Sequence, residues 1–133
     1  MALKKITNWQ SISLQSRDNS VPVVLLIDQK ECPYCRRVES EFLAAIFASR
    51  KYENRVIFRK ISIDPGETII DSSGKSISTR SFVTPFGPKL TPTILFLNAD
   101  KEEVSEKLIG LSTPDYYGFY LEKSIDEAIL ATK

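Results

Sequence analysis

No histidine occurs anywhere in the 133 residues. That absence removes Ser-His-Asp and Cys-His catalysis and every metal site built on imidazole. Cysteine is almost as scarce, with Cys32 and Cys35 the only two. A zinc or iron–sulfur site takes about four protein ligands, so two thiols without imidazole do not complete one within a single chain. A cluster shared between two chains, each giving thiolates, stays open. No long apolar run is present either. The longest, "VPVVLLI", is far too short to span a bilayer. The first twenty residues contain no apolar signal core, so the chain reads either as a cytoplasmic protein or as a mature domain without its leader. A charge excess is also missing. Lys and Arg number 18 against 17 Asp and Glu, a net charge of +1, which gives no bulk attraction to nucleic acid or to a membrane surface.

What is present is an ordinary globular composition, 42% hydrophobic and 26% charged. The length suits one domain over 1–133 with a sizeable core. The charge is slightly uneven. Residues 1–66 hold 11 basic and 7 acidic residues, and 67–133 hold 7 and 10, so the half with both cysteines is the positive one.

Trp9, Ile12 and Leu14 among polar neighbours predict a short helix that begins near Thr7 or Asn8 and ends at Asn19-Ser20. "VPVVLLID" (21–28) is apolar nearly throughout and predicts a central strand covered on both faces. From Pro33 the period turns helical. Cys35, Val38, Phe42, Ala45, Ile46 and Ser49 share a face, with Arg36, Arg37, Glu39 and Glu41 outside it. "RVIFRKISID" (55–64) predicts a second strand. The polar stretch 65–90 reads as loop, with a small hairpin around Ser73-Gly74 and a short helix over Ser78–Val83. "TPTILFLNADKEEVSEKLIGL" predicts strand, tight turn at 98–101, then strand. A closing helix starts from a Ser112 or Thr113 cap with Pro114 in its first turn, and buries Tyr117, Tyr120, Leu121, Ser124, Ile125 and Ala128. The β-α-β opening predicts a parallel pair with a crossover helix, and the β-β finish an antiparallel hairpin beside it. The fold class is therefore α/β, a mixed central sheet of about four main strands with helices on both faces.

The spacing Cys32-Pro33-Tyr34-Cys35 carries the chemistry. Pro33 suits a first helical turn, where no N–H is missed. That puts Cys32 against the unpaired N–H groups and positive end of a helix, which lowers a thiol pKa below its free value of about 8.5. Arg36 and Arg37 add to this, and Asp28 and Glu31 oppose it. Three-residue spacing brings the sulfurs within disulfide range. Cys32 is expected as the exposed attacker and Cys35, on the apolar face, as the buried resolver. A Cys32 thiolate attacks a disulfide, a mixed disulfide forms, and Cys35 closes the intramolecular bond. A purely structural disulfide around so small a loop adds little stability.

The segments "VVLLID", "CPYC" opening a helix, "LTPTILFLNADKEEV", Gly110 and a final helix together resemble the thioredoxin superfamily. The resemblance spans nearly the whole chain and implies a thioredoxin fold. It also implies that Pro92 is cis and faces the cysteines, and that the backbone of Thr91 pairs with a bound substrate strand. Pro33 and Tyr34 join the implied substrate surface. Pro85 and Pro88 are assigned to the loop before it. Within the superfamily the chain is most similar to bacterial thioredoxin-like proteins associated with periplasmic sulfur oxidation. The shared features are CPYC, the long "DPGETIIDSSGKSIS" segment and "TPT" before an apolar strand. That similarity implies a periplasmic setting and a thiol–disulfide oxidoreductase, with the reductase direction favoured and an oxidant, an isomerase or a non-catalytic binding module as alternatives. The implied partners are protein disulfides or dithiols and a protein thiol electron donor, either soluble or membrane-bound. No cofactor beyond the dithiol is expected, nor a nucleic-acid partner, membrane insertion or oligomerisation.

Departures from the pattern matter. Leu26 stands where thioredoxins proper bury an aspartate, and Glu31 where they place a tryptophan. CPYC is also the glutaredoxin motif, but the Val-Pro and Gly-Gly-x-Asp-Asp signals of glutathione binding are absent. By analogy with glutaredoxins the Pro-Tyr dipeptide predicts a potential of about −200 mV. Elsewhere, Tyr116, Tyr117, Phe119 and Tyr120 read either as a docking surface or as half core and half interface, and Trp9 as core. Arg50, Lys51, Arg55, Arg59 and Lys60 read as a solvated helix end and strand face. Phe82, Phe86 and Leu90 form either an apolar platform or a core closure near Pro92.

Overall fold

β1 (Val23–Asp28) is the centre from which the architecture grows. Its first five residues are buried, because both of its faces are covered. The computed structural model describes residues 3–87, 90–111 and 113–133. β2 (Ile57–Ser62) runs parallel to β1, with Asp28 opposite Ser62. β5 (Thr93–Leu97) runs antiparallel on the other side, and β6 (Leu108–Ile109) pairs antiparallel with β5. The four-stranded order is β2-β1-β5-β6. This is the mixed sheet that the sequence predicts.

Period-two alternation splits the strand residues between two cores. Val24, Leu26, Ile94 and Phe96 face one layer, with Val38, Leu43, Tyr117, Leu121 and Ile125. Val23, Leu25, Ile27, Leu95 and Leu97 face the other, with Trp9, Ile12, Phe82 and Val83. Each such fully buried aliphatic side chain contributes about 1.5–3 kcal/mol. α1 (Trp9–Asn19) lies on the second face, capped by the Asn8 side chain, which accepts from the Ser11 N–H. α4 (Thr79–Val83) lies there too, with Ser78 as its N-cap. β3 (Thr68–Ile70) and β4 (Ser76–Ser78) form the expected small hairpin. α5 (Pro114–Thr132) covers the first face.

The helix after the cysteines departs from simple α periodicity. It comprises α2 (Pro33–Arg37), a π-helical turn over Val38–Leu43, and α3 (Ala44–Ser49). The wider turn rotates the downstream register, so the buried position after Val38 is Leu43. Phe42 is only half-buried, and the expected inward residues Ala45 and Ser49 are exposed. α5 differs from expectation at Tyr120, which is 48% exposed, while Ile129 is buried instead. Ser112 lies outside the described residues, and Thr113 holds the cap position without a side-chain cap bond. The strand expected straight after the turn at 98–101 is interrupted. A single bridge joins Leu97 to Glu103 before β6 begins.

The N-terminal segment extends the sheet beyond β2. Lys60 N–H donates to Lys4 O at 2.9 Å, and Ile6 N–H donates to Lys60 O at 2.8 Å. Among the described residues, no helix is long and apolar enough to cross a membrane.

Candidate active site

The C-terminal end of β1 delivers the chain to the cysteines through a tethered loop. Ile63 N–H donates to Asp28 O at 3.0 Å. The Asp64 carboxylate accepts from Lys30 N–H at 3.1 Å. Glu31 then adopts a left-handed backbone with φ of 55°, an uncommon state for a non-glycine residue. Cys32 follows in extended conformation as the N-cap of α2, with Pro33 in the first turn. The cap uses sulfur in place of the usual oxygen. Cys35 N–H donates to Cys32 Sγ at 3.2 Å, and Arg36 N–H donates to Cys32 O at 3.2 Å.

Cys32 and Cys35 are joined in a disulfide, with their Cα atoms 5.2 Å apart. Cys32, expected to be exposed, is in fact buried at 7% exposure, against 3% for Cys35. Part of its cover comes from Thr91, whose Oγ1 lies 3.7 Å from Cys32 Sγ. The Thr91–Pro92 peptide bond is cis. Thr93 Oγ1 donates to Leu90 O at 2.6 Å, and Gly110 N–H donates to Pro92 O at 2.7 Å, so the loop is fixed from two sides. The structure thus brings Cys32, Cys35 and Thr91-Pro92 together across 59 sequence positions. Pro33 and Tyr34 lie exposed on the outer side of the cysteines, with Tyr34 58% exposed. Phe82 and Phe86 are buried and close the core, whereas Leu90 is 55% exposed beside the site. Of the three, Leu90 alone is exposed, and the core-closure reading holds for Phe82 and Phe86.

Beneath the helix lies a polar cluster. Leu26 is part of the apolar core. Two residues on, Asp28 shares the same face and accepts from Ser62 Oγ at 2.6 Å. Burial raises the Asp28 pKa above 3.8, with the Ser62 hydrogen bond and Lys60 pulling it back and Glu39 adding to the rise. Lys60 pairs with Glu39 at 3.2 Å, with their side chains 18% and 15% exposed. Glu39 also accepts from Leu3 N–H at 2.7 Å. Lys60 was expected on a solvated strand face and Glu39 outside the packed face of the helix; both are mostly buried. The pair went unread because charged side chains were assigned to solvent, although Glu39 lies four residues after the buried Cys35 on the same helical face. The alternation of β2 likewise puts Lys60 on the same face as Phe58 and Ser62.

The arrangement is a dithiol/disulfide couple at the head of a helix, with the Cys35 N–H aimed at the Cys32 sulfur and the Thr91 hydroxyl beside it. Chemically it is a thiol–disulfide oxidoreductase centre. A family model described as a thioredoxin-like domain matches residues 13–125. No curated protein matches the chain in sequence. Among solved structures, wild-type thioredoxin h from poplar is similar at 21% identity and a TM-score of 0.61, covering 97% of this chain and 99% of that one. Thioredoxin f from spinach chloroplast, in its short form, is similar at 18% identity and a TM-score of 0.60, covering 96% of each chain. A thioredoxin-fold protein from Helicobacter pylori is similar at 20% identity and a TM-score of 0.63, covering 86% of this chain and 75% of that one.

Proposed function

The chain belongs to the thioredoxin-like domain family, and from that premise we propose that it is a thiol–disulfide oxidoreductase working as a reductase of protein disulfides. The observation that carries this reading is the Cys32–Cys35 couple, with Cys35 N–H directed at Cys32 Sγ. In the reduced protein that N–H would face a thiolate, and a charge-assisted hydrogen bond is stronger than the neutral one.

The cycle balances as follows. The Cys32 thiolate attacks one sulfur of a substrate disulfide and forms a mixed disulfide. The other substrate sulfur leaves as a thiolate and takes a proton from solvent. Cys35 loses its proton and attacks Cys32 Sγ. The second substrate sulfur leaves and is protonated, and the Cys32–Cys35 bond closes. The substrate gains two electrons and two protons; the protein loses two electrons and the Cys35 proton, and solvent supplies the proton that Cys32 gave up on becoming a thiolate. A protein dithiol donor then reduces the pair by the same steps. Thr91 would pair with the substrate backbone, and Pro92, Pro33 and Tyr34 would frame it.

The sulfur-oxidation-associated subtype and the periplasmic setting rest on CPYC, the long 64–78 segment and the Thr-Pro-Thr run. A monomer supplied with electrons by a membrane-bound donor belongs to the same reading. The direction of electron flow is tested by equilibrating the pair against glutathione. A potential near thioredoxin's value of about −270 mV supports the reductase. A value between about −180 and −120 mV puts the chain with isomerases and oxidants instead. A Cys35→Ser variant should trap mixed disulfides through Cys32; failure to trap any would sink the dithiol mechanism itself.

A further inference from the structure

Arg59 is a half-buried cation without an anion. Alternation along β2 sends Phe58, Lys60 and Ser62 to one face of the sheet and Arg59 to the other, the face that α1 covers. The Arg59 guanidinium donates to Phe58 O at 2.9 Å. Among the described residues no carboxylate pairs with it. Burial lowers its pKa, and no opposing charge holds it up. A guanidinium carries five N–H donors, so one carbonyl leaves most of them open. Withdrawing a charge from water is costly unless it finds a partner.

The same guanidinium lines a cleft of about 240 Å³. The N-terminal segment contributes Lys4 and Lys5 to its walls, and α1 with its cap contributes Asn8, Ser11 and Gln15. Three cations therefore face one space. Among the described residues no acidic one lines it. Glu67 pairs with Lys5 at 3.5 Å, while Lys4 has no carboxylate partner among the described residues. The first turn of α1 also lacks an acidic residue, so the positive end of the helix adds to the cations without opposition. The Ser11 N–H is taken by the Asn8 side chain, which leaves the Ser11 hydroxyl as a further donor.

This convergence of donors selects a compact oxyanion. A guanidinium fork matches phosphate oxygens two at a time, and an ammonium adds a point charge. No aromatic ring lines the cleft, so a nucleobase finds nothing to stack on. We infer that the cleft between the N-terminal segment, α1 and Arg59 binds a phosphate group, held by the Arg59 fork and the Lys4 ammonium, with the Ser11 hydroxyl donating to it. The site lies across the sheet from the Glu39–Lys60 pair and does not depend on the redox reading.

The probe is inorganic phosphate, titrated into the full oxidised chain at pH 7 and followed by backbone amide NMR shifts. Sodium chloride at matched ionic strength is the reference. Two charge-assisted hydrogen bonds correspond to half-saturation at about 1 mM. The expected result is a saturable shift confined to the amides around Lys4, Ser11 and Arg59 and absent in chloride. Arg59→Gln should weaken binding about tenfold. Lys4→Gln, at an exposed position where the fold is not at stake, should weaken it about threefold. A parallel titration with glycerol 3-phosphate separates the sources of the group. Tighter binding than inorganic phosphate identifies an organic phosphate ester as the ligand, and weaker binding identifies the free ion. No saturable shift above the chloride reference, or an affinity unchanged in both variants, overturns the site.

Discussion

Thr91 Oγ1 lies 3.7 Å from Cys32 Sγ, although 59 positions separate the two in the chain. A hydroxyl at that place donates weakly to a disulfide sulfur and more strongly to a thiolate. It therefore stabilises the reduced protein more than the oxidised one. Thr91→Val keeps the shape and removes the donor. The expected outcome is a higher Cys32 thiol pKa and a reduction potential more negative by about 20 mV, the equivalent of about 1 kcal/mol. Equilibration with a glutathione buffer reads the potential, and absorbance of the thiolate against pH reads the pKa. An unchanged potential would mean that the hydroxyl does not reach the thiolate.

Glu39 joins three parts of the molecule: the helix that carries Cys35, Lys60 on β2, and the Leu3 N–H of the N-terminal segment. Glu39→Ala leaves a mostly buried ammonium without its anion and an amide without its acceptor. Loss of one partner of such a pair should cost about 3 kcal/mol. Glu39→Gln should cost less, since its oxygen still accepts from Leu3. Urea unfolding of the two variants gives the comparison, and a Glu39→Ala loss under 1 kcal/mol would show the pair to be worth no more than an exposed one.

Much of this was legible in the sequence, for definite reasons. The apolar run 23–28, the change to helical spacing at Pro33 and the Thr-Pro before "TILFL" are all local signals, and each fixed an element to within a residue or two. The pairing of Cys32 with Cys35 was legible from their spacing, and the closeness of Thr91 only through family resemblance. What stayed hidden was tertiary. The π turn at Val38–Leu43 has no signature in the residue pattern, and it shifts burial from Phe42, Ala45 and Ser49 to Leu43. The Glu39–Lys60 pair stayed hidden because it joins two charged residues 21 positions apart. Cys32 is more buried than expected because Thr91 covers it, a contact that no local pattern encodes.

Asp28 tests the polar cluster by pH. Burial is the largest influence on it and raises its folded-state pKa above 3.8, against the opposing pull of Ser62, Lys60 and Lys5, while Glu39 adds to the rise. A raised folded pKa means that the folded protein holds the proton more tightly than the unfolded chain. The associated stability is present at low pH and is lost as pH rises through the folded pKa. Asp28→Asn retains an oxygen for the Ser62 hydroxyl and carries no charge to desolvate. It should be more stable than the unsubstituted protein at pH 7, and the advantage should shrink as pH falls through the raised folded-state pKa toward 3.8. Urea midpoints at pH 7 and pH 4 check this; an advantage that grows on acidification would reverse the argument.

Tyr52 makes the matching prediction at the alkaline end. Its side chain is in the core at 2% exposure, and its hydroxyl donates to Asp126 Oδ1 at 2.8 Å. Burial first, then the Asp126 carboxylate, push its pKa from 10.0 up to about 12. The unfolded chain therefore loses this proton before the folded protein does. Stability tied to Tyr52 is fully present below pH 10 and drains away as pH rises from 10 toward 12. Tyr52→Phe removes the hydrogen bond and should cost about 1 kcal/mol near pH 8. It also removes the titrating group, so the variant should lose stability less steeply above pH 10 and the two curves should converge. Lys51, which pairs with Glu122 and lies over the Tyr52 ring, is held above its ordinary pKa first by Glu122 and in part by Tyr52 itself, so the difference between the curves reports the phenol together with its coupling to Lys51. Parallel curves from pH 8 to pH 11.5 would mean that Tyr52 ionises in the folded protein as readily as in the unfolded chain.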